Sequence, residues 1–165
     1  VVTPAPFDFA GLYRRHAPAV YRYGLFLSGS HATAEDIVAE TFVRVWGARE
    51  RVEVATVSAY LLAIARNVFL KGLRGQRQEA QLYQPGEELG RPPDEARESS
   101  DELRRVLAQL RTLPEADRTA LLLRADEGLS YQEIARVLGI TPVSARVKVH
   151  RARARLAALR EGGTR

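Results

Sequence analysis

Cysteine and methionine are both missing from the 165-residue chain, and only two lysines, Lys71 and Lys148, stand among its 25 basic side chains. Without thiols there are no disulfides, thiolate metal sites or cysteine nucleophiles, and nothing asks for an oxidising compartment. No apolar run reaches the length of a membrane span. The opening "VVTPAPFDF" also lacks the basic-then-apolar layout of a signal peptide. These absences predict a cytoplasmic protein with no membrane insertion. Its three histidines, His16, His31 and His150, are scattered, and no serine sits in a nucleophile elbow or glycine-rich phosphate loop. The expectation is therefore a protein that is not an enzyme and needs no cofactor or metal.

What the chain does have is charge, unevenly placed. The net charge is +5, and arginine supplies nearly all of the basic side, which fits a GC-rich genome as well as a chemical demand. Residues 141–160 hold six arginines and lysines and no acid, whereas residues 87–102 hold seven acids and two bases. Such segregation suggests a C-terminal element facing a polyanion, next to a solvated acidic stretch.

Apolar spacing and punctuation predict an all-α fold, two small helical domains on a tether. Residues 1–78 read as a helical bundle. A first helix starts in "FDFAGLYRRHA", is interrupted or kinked at Pro18, and stops near Ser28 and Gly29. A second, capped by Thr33, buries Val38, Phe42, Val45 and Trp46 and ends at Gly47. A third begins near Thr56 or Ser58, turns Leu61, Leu62, Ala65, Val68 and Phe69 inward, and ends among Gly72 and Gly75. Residues 79–98, rich in proline, glycine and acid, read as a flexible linker, and residues 99–165 as a second helical domain.

That second domain is heavily punctuated. "SSDE", residues 99–102, fits a capping box, and Pro114 suits the first position of a helix running toward Gly128. Ser130 and Glu133 form a second capping box for a short helix closed by Gly139. Thr141 then caps a final helix with Pro142 at its first position. Small Ala135, with Ile134, Val137, Leu138 and Ile140 as an apolar wedge, completes a helix-turn-helix grammar. On the last helix Ala145, Val149, Ala152, Leu156 and Leu159 share one face, so Thr141, Ser144, Arg146, Val147, Lys148, His150, Arg151 and Arg153 are left for DNA. Arg146, with Ser144 and Val147, is placed toward bases or nearby phosphates, and Lys148, Arg151 and Arg153 toward backbone. If four phosphates are neutralised, affinity should fall with salt at a log–log slope of about −3.6.

With those motifs in view, the chain resembles a family. "AEDIVAETFVRVW", residues 34–46, and "YLLAIARNVFLKGLR", residues 60–74, look like the paired helices of sigma region 2; residues 113–156 look like sigma region 4. Order and spacing are similar to the extracytoplasmic-function RNA polymerase sigma factors. The resemblance implies an alternative sigma factor that binds core polymerase, recognises minus-35 and minus-10 elements and directs promoter opening. By it, Asp36, Glu40 and Arg44 dock the clamp helices of the beta-prime subunit, the C-terminal domain meets the beta flap, and an anti-sigma factor is expected. It assigns Arg49, Arg51, Tyr60, Arg66, Asn67, Lys71, Arg74 and Arg77 to the minus-10 element. Tyr60 stands where the family usually has tryptophan, Ala39 where it has glutamine and Lys71 where it commonly has aspartate. The rival reading is a helix-turn-helix regulator that binds DNA without polymerase.

Overall fold

The computed structural model describes residues 7–48, 57–82 and 100–162. Among them are seven helices and no strand. None of these helices is long and apolar enough to cross a membrane.

α1 (Phe9–Ser28) begins at Asp8, whose side chain accepts from the Gly11 amide, and it runs unbroken through Pro18. The predicted interruption fails for a local reason. Pro18 and Arg14, whose carbonyl loses its partner, are both exposed, so water can satisfy the freed oxygen. Gly29 then takes the left-handed conformation, φ 73°, that ends the helix. α2 (His31–Gly47) is capped by Ser30 rather than Thr33. Ser30 is extended, and its hydroxyl accepts from the Thr33 amide at 3.2 Å.

α3 (Val57–Leu82) continues past Gly72 and Gly75, where a stop was expected. Neither glycine has positive φ, so neither makes a left-handed cap, and each costs the helix only about 1 kcal/mol relative to alanine. α1, α2 and α3 pack on one another around Val20, Tyr23, Leu27, Ile37, Phe42, Val45, Leu61 and Leu62. Trp46 departs from its predicted buried stripe and is 50% exposed, with its ring edge-on to Phe9 at 5.1 Å.

The remaining four helices follow the predicted order with small shifts. α4 (Asp101–Arg111) is capped by Ser100, one position after the expected box; its third residue is Leu103, which cannot return the glutamate bond, and Ser99 lies outside the described residues. α5 (Glu115–Ala125) begins after Pro114, which is the cap and not the first turn. α6 (Tyr131–Leu138) has both halves of the Ser130–Glu133 capping box and ends at Gly139 with φ 66°. α7 (Pro142–Gly162) follows directly, with the Thr141 hydroxyl accepting from the Ser144 amide at 3.2 Å. α5, α6 and α7 enclose Leu123, Ile134, Ala145, Val149 and Ala152.

The two groups of helices share one apolar cluster. α4 and α5 pack against α1, and α6 against α3. At this seam a chain of hydrogen bonds runs across: buried Tyr23 donates to Thr119 at 3.2 Å, and Thr119 donates to Glu115 at 2.9 Å. Arg66 grips both oxygens of the Glu115 carboxylate at 2.8 Å. Arg22 bonds Asp126 at 2.6 Å and Glu127 at 2.8 Å alongside. Burial alone would raise Glu115, but the Arg66 fork, helped by Thr119, outweighs it and holds the carboxyl below its ordinary value.

Candidate nucleic-acid and polymerase interfaces

α7 packs on α5 and α6 through small residues. Ala145, Val149 and Ala152 face inward with almost no exposure, so the small residues let α7 lie close on α5 and α6. The opposite surface carries Thr141, Ser144, Arg146, Val147, His150, Arg151 and Arg153, all exposed, with Lys148 half-buried beside them. Leu156 packs partly on the core, while Leu159, assigned to the same face, is exposed.

Two of the basic residues are braced from behind. Lys148 lies 3.4 Å and Arg151 3.9 Å from the carboxylate of Asp117, a buried acid in the first turn of α5. Arg146 lies over the Tyr131 ring with its guanidinium carbon 5.1 Å from the centroid, and Arg124 does the same at 4.7 Å. Cation–π contact at an exposed site is worth about 0.5–1 kcal/mol, enough to orient Arg146 while leaving it free to move onto a base. Sequence reasoning missed Asp117, because nothing local links it to Lys148, 31 positions later. Val143, which spacing places on the same open face without a DNA role, is 74% exposed one turn before Val147. Two bare valines on a basic face suit the methyl groups of thymine. The signal was present, as apolar residues lying off the buried periodicity.

On α3, Asn67, Lys71, Arg74 and Arg77 are exposed, with Tyr60 partly buried against the core. Arg66 points the other way, into the seam with Glu115. Arg49 and Arg51 lie outside the described residues. On α2, Asp36 and Glu40 are exposed one turn apart, and Arg44 bonds Glu40 at 2.8 Å. Val43 and Trp46 on the same helix, and Tyr13 on α1, edge-on to Phe42 at 4.8 Å, are exposed apolar side chains. Among the described residues no three histidine, aspartate or glutamate side chains converge as a metal site requires.

This arrangement matches known proteins along most of its length. Residues 12–79 match the family model described as Sigma-70 region 2, and residues 103–156 match Sigma-70, region 4. The chain is 36% identical to RNA polymerase sigma factor CarQ of Myxococcus xanthus, an alignment covering 87% of this chain and 83% of that protein. It belongs to the extracytoplasmic-function RNA polymerase sigma factors. ECF RNA polymerase sigma factor SigE of Mycolicibacterium smegmatis is 34% identical over 88% of this chain, which spans only 58% of that longer protein. Among solved structures, sigma factor RpoE of Bartonella quintana, crystallised with the anti-sigma factor NepR, is similar at a TM-score of 0.79. Its sequence is 29% identical, covering 93% of this chain and 97% of that one. As a sigma factor, this chain is a DNA-binding transcription initiation factor, and a regulator independent of polymerase is not favoured.

Proposed function

We infer that this sigma factor works as two domains joined through the expected linker at residues 79–98, of which 79–82 instead complete α3, and that each domain holds a different part of the initiation complex. The first docks core RNA polymerase by Asp36, Glu40 and Arg44 on the beta-prime clamp helices, and the exposed apolar side chains of Tyr13, Val43 and Trp46 add buried area to charges that would be weak alone. Arg49, Arg51, Tyr60, Arg66, Asn67, Lys71, Arg74 and Arg77 meet the minus-10 element, with Tyr60 stacking an unpaired base, a contact worth about 1–3 kcal/mol. The second domain reads minus-35 DNA through Thr141, Ser144, Arg146, Val147, Lys148, His150, Arg151 and Arg153, and meets the beta flap. The chain itself catalyses nothing. Its partners are polymerase, promoter DNA and an anti-sigma factor, all met in the cytoplasm.

The observation that carries this reading is that α7 is capped, seated and bare on one basic face while α2 bears an exposed acidic and aromatic face of a different chemistry. Arg66 adds a condition. It is held by Glu115, so its minus-10 role requires the seam to open and a phosphate to replace the carboxylate. Run-off transcription with core polymerase on a promoter library tests the division of labour. Arg146→Ala should blunt minus-35 discrimination and spare polymerase binding, and Asp36→Ala should do the reverse. Equal loss of both properties in both variants would refute it.

A further inference from the structure

Beside the seam lies a cavity of about 430 Å³, and of its lining residues the functions above use only Asp36. Its walls come from α1, α2 and α3: Val68, Phe69 and Leu73 give it an apolar side, Ser28 and Gln76 supply polar groups, and Asp36 stands on its lip. Its only strong charges besides Asp36 are two arginines delivered from the other group of helices, Arg111 at the end of α4 and Arg118 in α5. Arg118 is only 8% exposed, and its Nε has no hydrogen-bond partner among the described residues. Arg111 is laid across Gly29, where a Cβ would lie 3.0 Å from its Cδ, and no carboxylate pairs with either guanidinium among the described residues.

A buried guanidinium with an orphaned donor is costly, and a second guanidinium nearby adds repulsion. Burial pulls the Arg118 pKa down; the Glu115 charge opposes this, and Arg111 reinforces it. Glu115, whose charge acts on Arg118, already accepts both bonds of Arg66. An oxyanion would satisfy both: a phosphate offers acceptors to two planar forks at once, which is what arginine binds best. The apolar wall beside it suits an organic group attached to that phosphate.

We propose that the seam cavity is a phosphate-binding site, with Arg111 and Arg118 holding the oxyanion and Val68, Phe69 and Leu73 facing whatever it is attached to. Because both arginines come from the last four helices and the rest of the site from the first three, occupancy ties the two groups together. Asp36 opposes the anion, so removing its charge strengthens binding. The site also couples to the polymerase face on which Asp36 stands.

The test is binding to the full chain at constant ionic strength, with inorganic phosphate, adenosine monophosphate and adenosine as separate probes, followed by calorimetry and by the thermal midpoint. Saturable phosphate binding that raises the midpoint is expected, weakened at least about tenfold in Arg111→Gln and strengthened severalfold in Asp36→Asn. Arg105→Gln, an equal loss of charge on the exposed side of α4, should bind like the wild type. Arg111 is exposed, so its variant keeps the fold readable even where Arg118→Met unfolds. Tighter binding of the nucleotide than of inorganic phosphate assigns the natural ligand to organic phosphates, and equal binding assigns it to the free ion. Binding of adenosine alone, affinity unchanged in Arg111→Gln, or equal weakening in Arg105→Gln would overturn the site.

Discussion

The outer face of α7 and the seam use the same residue, arginine, in opposite ways. On α7, Arg146, Arg151 and Arg153 stand in the open, and their charge is available to any polyanion that approaches. At the seam, Arg66 is spent on Glu115 and Arg22 on Asp126 and Glu127, so their charge is cancelled within the molecule. The contrast teaches that basic composition alone does not locate a DNA surface. Partner and exposure do.

The shared core offers the harshest way to break this comparison. Ile134 is fully buried in the cluster that runs through both groups. Ile134→Ala should cost about 2–5 kcal/mol of unfolding free energy by urea titration, with helices of both groups melting in one transition. Two separated transitions, with only the C-terminal helices weakened, would show that the groups are independent. Next in size is the clasp itself. Glu115→Gln removes a charge-assisted fork worth about 1.5–3 kcal/mol and should lengthen the distance between labels on α3 and α5 at neutral pH. Because the folded pKa of Glu115 is depressed, its contribution is complete above the ordinary glutamate range and disappears as pH falls through the lowered folded value. Wild type and variant should therefore converge in acid.

Changes to the basic side chains of the open face should leave the seam untouched and act on DNA alone. Arg146→Ala should lose about 1–3 kcal/mol of discrimination at one base pair, measured as relative run-off between promoters that differ there. Smallest is the cap: Thr141→Ala should cost about 1 kcal/mol of stability and loosen the start of α7, visible as faster amide exchange at Ser144.

The two groups also differed in how much their sequences disclosed. The helix-turn-helix was readable nearly residue by residue, because the Ser130–Glu133 box, left-handed Gly139 and the Thr141–Pro142 start are local devices that act within a few positions. In the first three helices the all-α class and most of the core were readable, but the boundaries were not. Pro18 passed through a helix because its lost bond faces water, and Gly72 and Gly75 passed because neither takes the left-handed conformation of a cap. Spacing reads Trp46 inward, yet it is half exposed, with its ring edge-on to Phe9 of α1. On the recognition helix itself, the brace from Asp117 was invisible, since it exists only after α5 lies on α7.

Association of the purified chain with promoter-free core polymerase goes to the centre of the account. A labelled chain should bind core with saturable affinity, weakened at least about tenfold by Asp36→Ala or Trp46→Ala, which corresponds to about 1.4 kcal/mol or more. It should select no promoter duplex until core is added. Failure to bind core, with promoter-selective binding by the chain alone, would contradict it.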